Sequence, residues 1–326
     1  MIQRRELLQA GAGALVGATG LCYGQSAQSP WPDKPVKIVV LFNAGGTADT
    51  LTRILAEKLQ TQFKQSFIVE NRTGAGGNIG MAAVKSAPAD GYTLVSATIG
   101  TLSINQFLYA KMGYDPEKDF DYVSTFWENC NVFAVSNEHP ARTLAEFRAW
   151  AAKQPQGVTF SSSGVGTTPH LSGEMFATRS GIKCVHVPFR GSATVEVINR
   201  TIDFAIDNVS SYTPMLKAGR ARALAVTSPD RWPTFPDVPT MAEAGMPDFV
   251  ITSWGALAFP AGTPPAITAK LSQAVQEIAA QPAMKEQYLL AGTRAVSSTP
   301  QELVAFAARE RVKWKEVVRI SGAKAE

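Results

Sequence analysis

Apolar positions along the chain switch between two periods. Val36–Phe42 is a mostly apolar, β-branched run, the pattern of a buried strand, and Thr47–Gln60 then carries Leu51, Ile54, Leu55 and Leu59 at helical spacing. Short apolar runs at Phe67–Glu70 and Tyr92–Ala97 predict further strands, and helices are expected at Met81–Ser86 and around Leu102–Tyr109. Asn131–Val135 reads as a strand and Thr143–Gln154 as an amphipathic helix with Leu144, Phe147 and Trp150 on one face. A second series follows, with strands at Val158–Ser161, Cys184–Val187, Phe204–Ile206 and Arg222–Val226. Helices at Pro169–Ser180, Thr194–Asn199 and near Tyr212–Ala218 separate most of them. After the proline-rich loop Pro229–Pro239 come a strand at Val250–Phe259 and helices up to about Gln281, over Pro282–Ala291 and over Pro300–Ile320. Strand–helix alternation predicts parallel sheets with crossover helices, here in two series.

Four of the predicted strand-to-helix junctions are alike: Asn43–Asp49, Thr98–Thr101, Ser162–Thr168 and Asp207–Ser211 are rich in Gly, Ser, Thr or Asn. A helix N-terminus presents unpaired N–H donors and a partial positive charge, so each junction suits an anion. None of the four contains Lys, Arg or His. Such a site holds its ligand with main-chain N–H groups, hydroxyls and helix dipoles, an arrangement for binding and release rather than proton transfer. Ligands bind at the carboxyl ends of strands in open α/β sheets, so two facing series define one cleft.

The remaining chemistry narrows the choice. Gly74-Ala75-Gly76-Gly77-Asn78-Ile79-Gly80 superficially resembles a dinucleotide fingerprint, but its spacing is G-x-G-x-x-x-G and Asp90 lies in a turn. Ser161-Ser162-Ser163-Gly164 lacks the elbow of a serine hydrolase. His139, His170 and His186 have no metal-ligand spacing to one another or to Cys, so neither a catalytic residue nor a metal is expected. No cofactor is expected either. A charged fraction of 18% with both signs interspersed and a net charge of +4 gives no basic patch for nucleic acid.

The first residues carry a separate signal. Arg4-Arg5 precede an uncharged, mostly apolar run from Leu7 to Tyr23, and Gly24, Ser26 and Ala27 follow as small residues. This order predicts a cleavable export signal over residues 1–26, of twin-arginine or ordinary secretory type, with the mature chain starting near Ala27. Leu21 stands where a lipoprotein signal has a small residue, so Cys22 is not expected to carry lipid. Export to an oxidising compartment permits a disulfide between Cys130 and Cys184, or leaves two buried thiols in different strands.

Eight segments together carry a family resemblance. They are Gly45-Gly46-Thr47-Ala48-Asp49, Glu70–Gly80, Ala89–Leu94, Tyr114-Asp115-Pro116, Pro169–Glu174, Val185–Ser192, Ala223–Ser228 and Pro236–Thr240. In order and spacing the chain resembles the Bug-type (TctC-like) solute-binding receptors of tripartite tricarboxylate transporters, from about Trp31 onward. The resemblance implies an α/β type II periplasmic-binding-protein (Venus flytrap) fold, two α/β domains joined by two crossover strands. Residues 27–125 with 250–326 form one domain and 126–249 the other, the crossovers lying near Ser124–Asn131 and Thr252–Ala258. It implies a monomeric periplasmic receptor that delivers a small carboxylate or polar ligand to integral-membrane permease subunits. Ligand contacts carried over are Gly45, Gly46, Asp49 and Thr101 from one domain, and Thr167, Thr168, His170 and Asp207 from the other. Leu41, Asn43 and Ala44 replace a stretch usually containing prolines, so the ligand's identity is not inherited. A receptor that signals to a sensor kinase, or an exported nucleotide-dependent oxidoreductase with its nucleotide at Gly74–Gly80, are the alternatives.

Overall fold

The computed structural model describes residues 31–189 and 191–325. The expected export signal, Cys22 and the cleavage point near Ser26 lie outside the described residues. In chain order the elements are β1 (Val36–Val40), α1 (Thr47–Phe63), β2 (Phe67–Asn71), α2 (Asn78–Lys85), β3 (Thr93–Thr98) and β4 (Phe120–Ser136). Then come α3 (Leu144–Ala151), β5 (Val158–Ser162), α4 (Thr168–Ser180), β6 (Cys184–Pro188), α5 (Thr194–Ile198), β7 (Phe204–Asn208), α6 (Val209–Lys217) and β8 (Ala221–Val226). The chain closes with β9 (Thr252–Pro260), α7 (Pro265–Ala280), α8 (Pro282–Leu290), β10 (Arg294–Ala295) and α9 (Pro300–Ser321).

The strands run in the order β2-β1-β3-β9-β4-β7-β5-β6, with β8 and β10 also paired to β4. Pairing is parallel within β2-β1-β3 and within β7-β5-β6, as βα units require, but antiparallel where β9 meets β3 and β4 and where β4 meets β7 and β8. The long strand β4 joins the two series. Its Phe120–Cys130 stretch pairs with β9, and from Asn131 it pairs with β7 and β8 instead. Apolar pattern predicts only Asn131–Val135 of this strand, and the crossover expected near Ser124–Asn131 also falls within it. Register shifts at Tyr122/Ser124 and Thr125/Trp127 break the two-residue period that would have revealed the rest. The helix expected at Leu102–Tyr109 is a wide π-type turn at Gly100–Ile104 followed by a 3-10 turn at Asn105–Phe107.

Side-chain alternation sorts the strands into separate cores. Val36, Ile38 and Val40 face Leu51, Leu55 and Leu59 of α1 and Leu271, Val275 and Ile278 of α7, all buried. In the second half of β4, Val132 and Ala134 join Tyr212 and Trp232, whereas Phe133 points to the other face. There Phe133 stacks on Phe204 at 4.9 Å and meets Phe147 and Phe176 edge-on. Cys130 and Cys184 sit in β4 and β6 as free thiols, so the alternative of a disulfide is not realised. Helix ends are set locally: Thr299 and Glu302 form a reciprocal cap on α9, and Thr143 caps α3.

Candidate functional site

The carboxyl ends of β1 and β3 face those of β5 and β7 across a cavity of about 420 Å³. One wall is Phe42–Ala48 with Thr98, Ile99 and Gly100, and the opposite wall is Ser163, Gly166–Pro169, Gly191, Ser192, Asn208 and Ser211. Trp127 of β4 and Ser253 of β9 close the remaining side. Among the described residues, no charged side chain and no His lines it. Among the described residues, an anion held here would be met by helix ends and neutral polar groups.

The loop before α1 is shaped by Asp49 from behind. Gly45 has φ near +80°, a left-handed conformation that favours glycine, and its N–H donates to Asp49 Oδ2 at 2.9 Å. Asp49 also accepts from Asn71 Nδ2 at 2.8 Å and from the Arg53 guanidinium at 2.9–3.1 Å. Burial alone would raise its pKa; the bonds from Arg53, Gly45 and Asn71 outweigh that and hold the carboxyl below its ordinary range. Asp49 thus spends its carboxylate on the loop's own N–H, Arg53 and Asn71, and it is not among the residues that line the cavity. Gly46 follows as the residue before the helix, with no side-chain cap, and the first turn of α1 is left to border the cavity.

The remaining expected contacts divide in the same way. Gly45, Gly46, Thr167 and Thr168 line the cavity, whereas Thr101, His170 and Asp207 stand behind its walls. The Thr101 hydroxyl donates to Thr98 O and accepts from Thr98 N–H, so it ties the turn together while Thr98, Ile99 and Gly100 reach the cavity. Thr167 caps α4 by accepting from His170 N–H, and its hydroxyl donates to Gly164 O at 2.7 Å. His170 is buried with its ring stacked on His186 at 4.2 Å between centroids. Burial, reinforced by His186, pushes its pKa down to about 3, and burial lowers His186 to about 4. Nδ1 of His170 accepts from Gly166 N–H, which leaves the ring proton on Nε2, facing Glu174 at 3.8 Å. The sequence spacing gave no hint that His170, Glu174 and His186 come within 4.8 Å of one another. The tautomer is nevertheless wrong for ligating a metal through Nε2, since a ligating imidazole donates its other N–H. These rings pack the loop from behind.

Asp207 is completely buried under Ser192 and Asn208. It accepts from the Asn208 N–H at 2.6 Å and the Ser192 hydroxyl at 3.3 Å. Burial raises its pKa to about 6, and those two bonds recover only part of the cost. The folded chain thus holds this proton more tightly than the unfolded chain does. Stability should fall as pH rises from the ordinary value of 3.8 to about 6, then stay level. Asp207→Asn should flatten that slope and recover on the order of 3 kcal/mol at neutral pH, read by denaturant melts of unliganded protein at several pH values. An identical slope in the variant would show that Asp207 ionises as it does in water.

Residues not singled out from sequence complete the site. Phe42, Ile99 and Trp127 give it an apolar side, and Ser163, Ser192, Ser211 and Ser253 add hydroxyls. Ile99, Ser163 and Ser211 sit in the junctions Thr98–Thr101, Ser162–Thr168 and Asp207–Ser211, and Trp127 in the crossover expected near Ser124–Asn131. The two series also touch across the cleft: Thr47 Oγ1 bonds Ser210 Oγ at 2.8 Å, and the Tyr109 hydroxyl donates to Val165 O at 3.4 Å.

Comparison with known proteins gives a consistent answer. The family described as tripartite tricarboxylate transporter family receptor (TctC) matches residues 51–322. Protein BugT of Bordetella pertussis is 33% identical over 315 residues, 96% of each chain. The structure of R. palustris Rpa4515 with adipate superposes with a TM-score of 0.88 at 34% identity, covering 90% of this chain and 100% of that one. MatC (Rpa3494) from Rhodopseudomonas palustris with bound malate gives a TM-score of 0.82 at 29% identity, over 88% and 99% of the chains.

Proposed function

The chain belongs to the tripartite tricarboxylate transporter receptor family, and from that premise we propose that its cavity holds a small carboxylate between the N-termini of α1 and α4. The family is one of periplasmic substrate-binding receptors and not of enzymes. The observation that carries the reading is the cavity itself: two helix starts border it from opposite sides, and no charged side chain among the described residues does. Similar structures hold adipate and malate, both carboxylates. Gly45, Gly46, Thr167 and Thr168 form the anion's walls, with Asp49, Thr101, His170 and Asp207 fixing those walls from behind. The two α/β parts, divided near residues 125 and 250, close on the ligand about β4 and β9. The mature receptor, starting near Ala27 and acting as a monomer, hands the ligand to membrane permease subunits.

A charge-assisted hydrogen bond contributes about 1.5–3 kcal/mol and a partly buried helix terminus up to ~2 kcal/mol. Several together reach micromolar affinity, about −8 kcal/mol, without any Arg. Ligand at about a hundred times its dissociation constant then stabilises the fold by roughly 2.7 kcal/mol. Thermal-shift screening of mono-, di- and tricarboxylates should find at least one clear upward shift in Tm. A flat response across the whole set would reject the carboxylate reading.

A further inference from the structure

Beyond the main cavity, on the far side of Thr47, lies a second one of about 180 Å³. It is bordered by Thr50, Leu51 and Ala291 together with Ser210, while Gly45, Thr47 and Ser211 border both cavities. The partition between them is a hydrogen-bonded pair: Thr47 Oγ1, on the first turn of α1, meets Ser210 Oγ of α6 at 2.8 Å. Ser210 is itself held from the side by Asn129 Nδ2 at 2.8 Å. Thr47 of α1 and Ser210 of α6 contribute one hydroxyl each. Neither hydroxyl carries charge, and the space behind them is large enough for about six water-sized groups.

We propose that the Thr47–Ser210 pair is the end wall that sets how long a ligand the receptor accepts. This inference rests on the carboxylate reading and deepens it. A ligand whose anionic end sits at the start of α4 extends its body across the cavity toward α1 until its far end meets this pair. A longer chain has to push the two side chains apart, and with that break a contact between the two halves. Removing the wall joins the second cavity, lined in part by Leu51 and Ala291, to the first and gives further methylene groups apolar contacts there.

The test is calorimetric titration with butyrate, hexanoate, octanoate and decanoate, whose far ends are apolar, read as the ratio of affinities between long and short members. In the parent the ratio should fall sharply once the chain outgrows the main cavity. Thr47→Ala combined with Ser210→Ala should move that fall to longer chains and raise the ratio by roughly tenfold for two newly buried methylenes. Thr47→Val, which keeps the bulk and loses the hydroxyl, should keep the parental cutoff. Because a ratio is read, an overall loss of affinity in a variant does not obscure the result. An unmoved cutoff in the double variant, or a parent that takes decanoate as tightly as hexanoate, overturns the end wall and leaves the receptor reading standing. A parent that binds no carboxylate at all overturns both.

Discussion

Gly46→Asp should abolish ligand binding while leaving the unliganded fold at least as stable as the parent. Gly46 occupies the position before α1 with φ −76° and ψ 170°, a conformation open to any residue, and it offers the helix no side-chain cap. A Cβ added there meets nothing closer than Asn43 O at 3.4 Å. Aspartate is among the preferred residues at such a position, and replacing glycine by it adds a few tenths of a kcal/mol to helix stability. The new carboxylate would take the first-turn N–H groups, the donors proposed for the ligand, and place a negative charge where the ligand's own belongs. Losing a helix terminus and a charge-assisted hydrogen bond together costs about 4 kcal/mol, or roughly a thousandfold in Kd. Calorimetry of parent and variant with the strongest hit from the carboxylate screen reads this directly. Gly46→Asn, a neutral cap of the same shape, should lose much less. If Gly46→Asp binds as tightly as the parent, the anion does not lie at this helix end.

The same loop shows what a sequence can and cannot reveal about such a site. The β1–α1 unit is legible because Val36, Ile38 and Val40 keep the strand period and Leu51, Leu55 and Leu59 keep the helical one. The Gly45-Gly46 junction between them is legible because its chemistry is main-chain. The direction in which Asp49 points is not. Its partners are Arg53, one helical turn on, and Asn71 at the end of β2, and only the packed sheet brings Asn71 to it. His170 and Asp207 were read as ligand contacts for a related reason: a polar residue at a loop is equally suited to facing a cavity or to bracing its wall. Burial does not separate the two, since His170, Asp207 and Thr168 are all buried and only Thr168 lines the cavity. The inward direction of Trp127 was illegible for a different reason. It follows directly on the second of two register shifts in β4, which break the alternation leading up to it. The part of the fold that joins the two halves is thus the part whose pattern is least regular.

That irregular join is also where the second large effect is expected. Gly255→Ala should destabilise the protein and disturb the cavity wall, although Gly255 does not line the cavity. Gly255 of β9 lies directly opposite Trp127 of β4, and the indole lies over the space where a side chain would stand. A Cβ there would come 2.1 Å from Trp127 Nε1 and 2.4 Å from Cε2, far inside contact distance. Gly255 is not among the residues at positive φ, so the conflict is one of space and not of backbone strain. Trp127 is 2% exposed and packed edge-on against Phe126, which leaves the indole little freedom to retreat. Overpacking of this kind costs about 1–3 kcal/mol, and each kcal/mol lowers Tm by roughly 2–4 °C in a chain of this order of size. Because Trp127 also forms the cavity's apolar side, the displaced ring should weaken ligand binding as well. Trp127→Phe in the Gly255→Ala background removes Cζ2 and the rest of the outer ring, leaves a smaller ring with room to shift, and should restore part of the lost stability, while Trp127→Phe alone leaves a void and costs some. A double-mutant cycle on Tm and Kd separates these effects, since only residues in contact couple. Additive losses, with no rescue by phenylalanine, would mean that the indole yields without cost and that the wall at the β4–β9 join is soft.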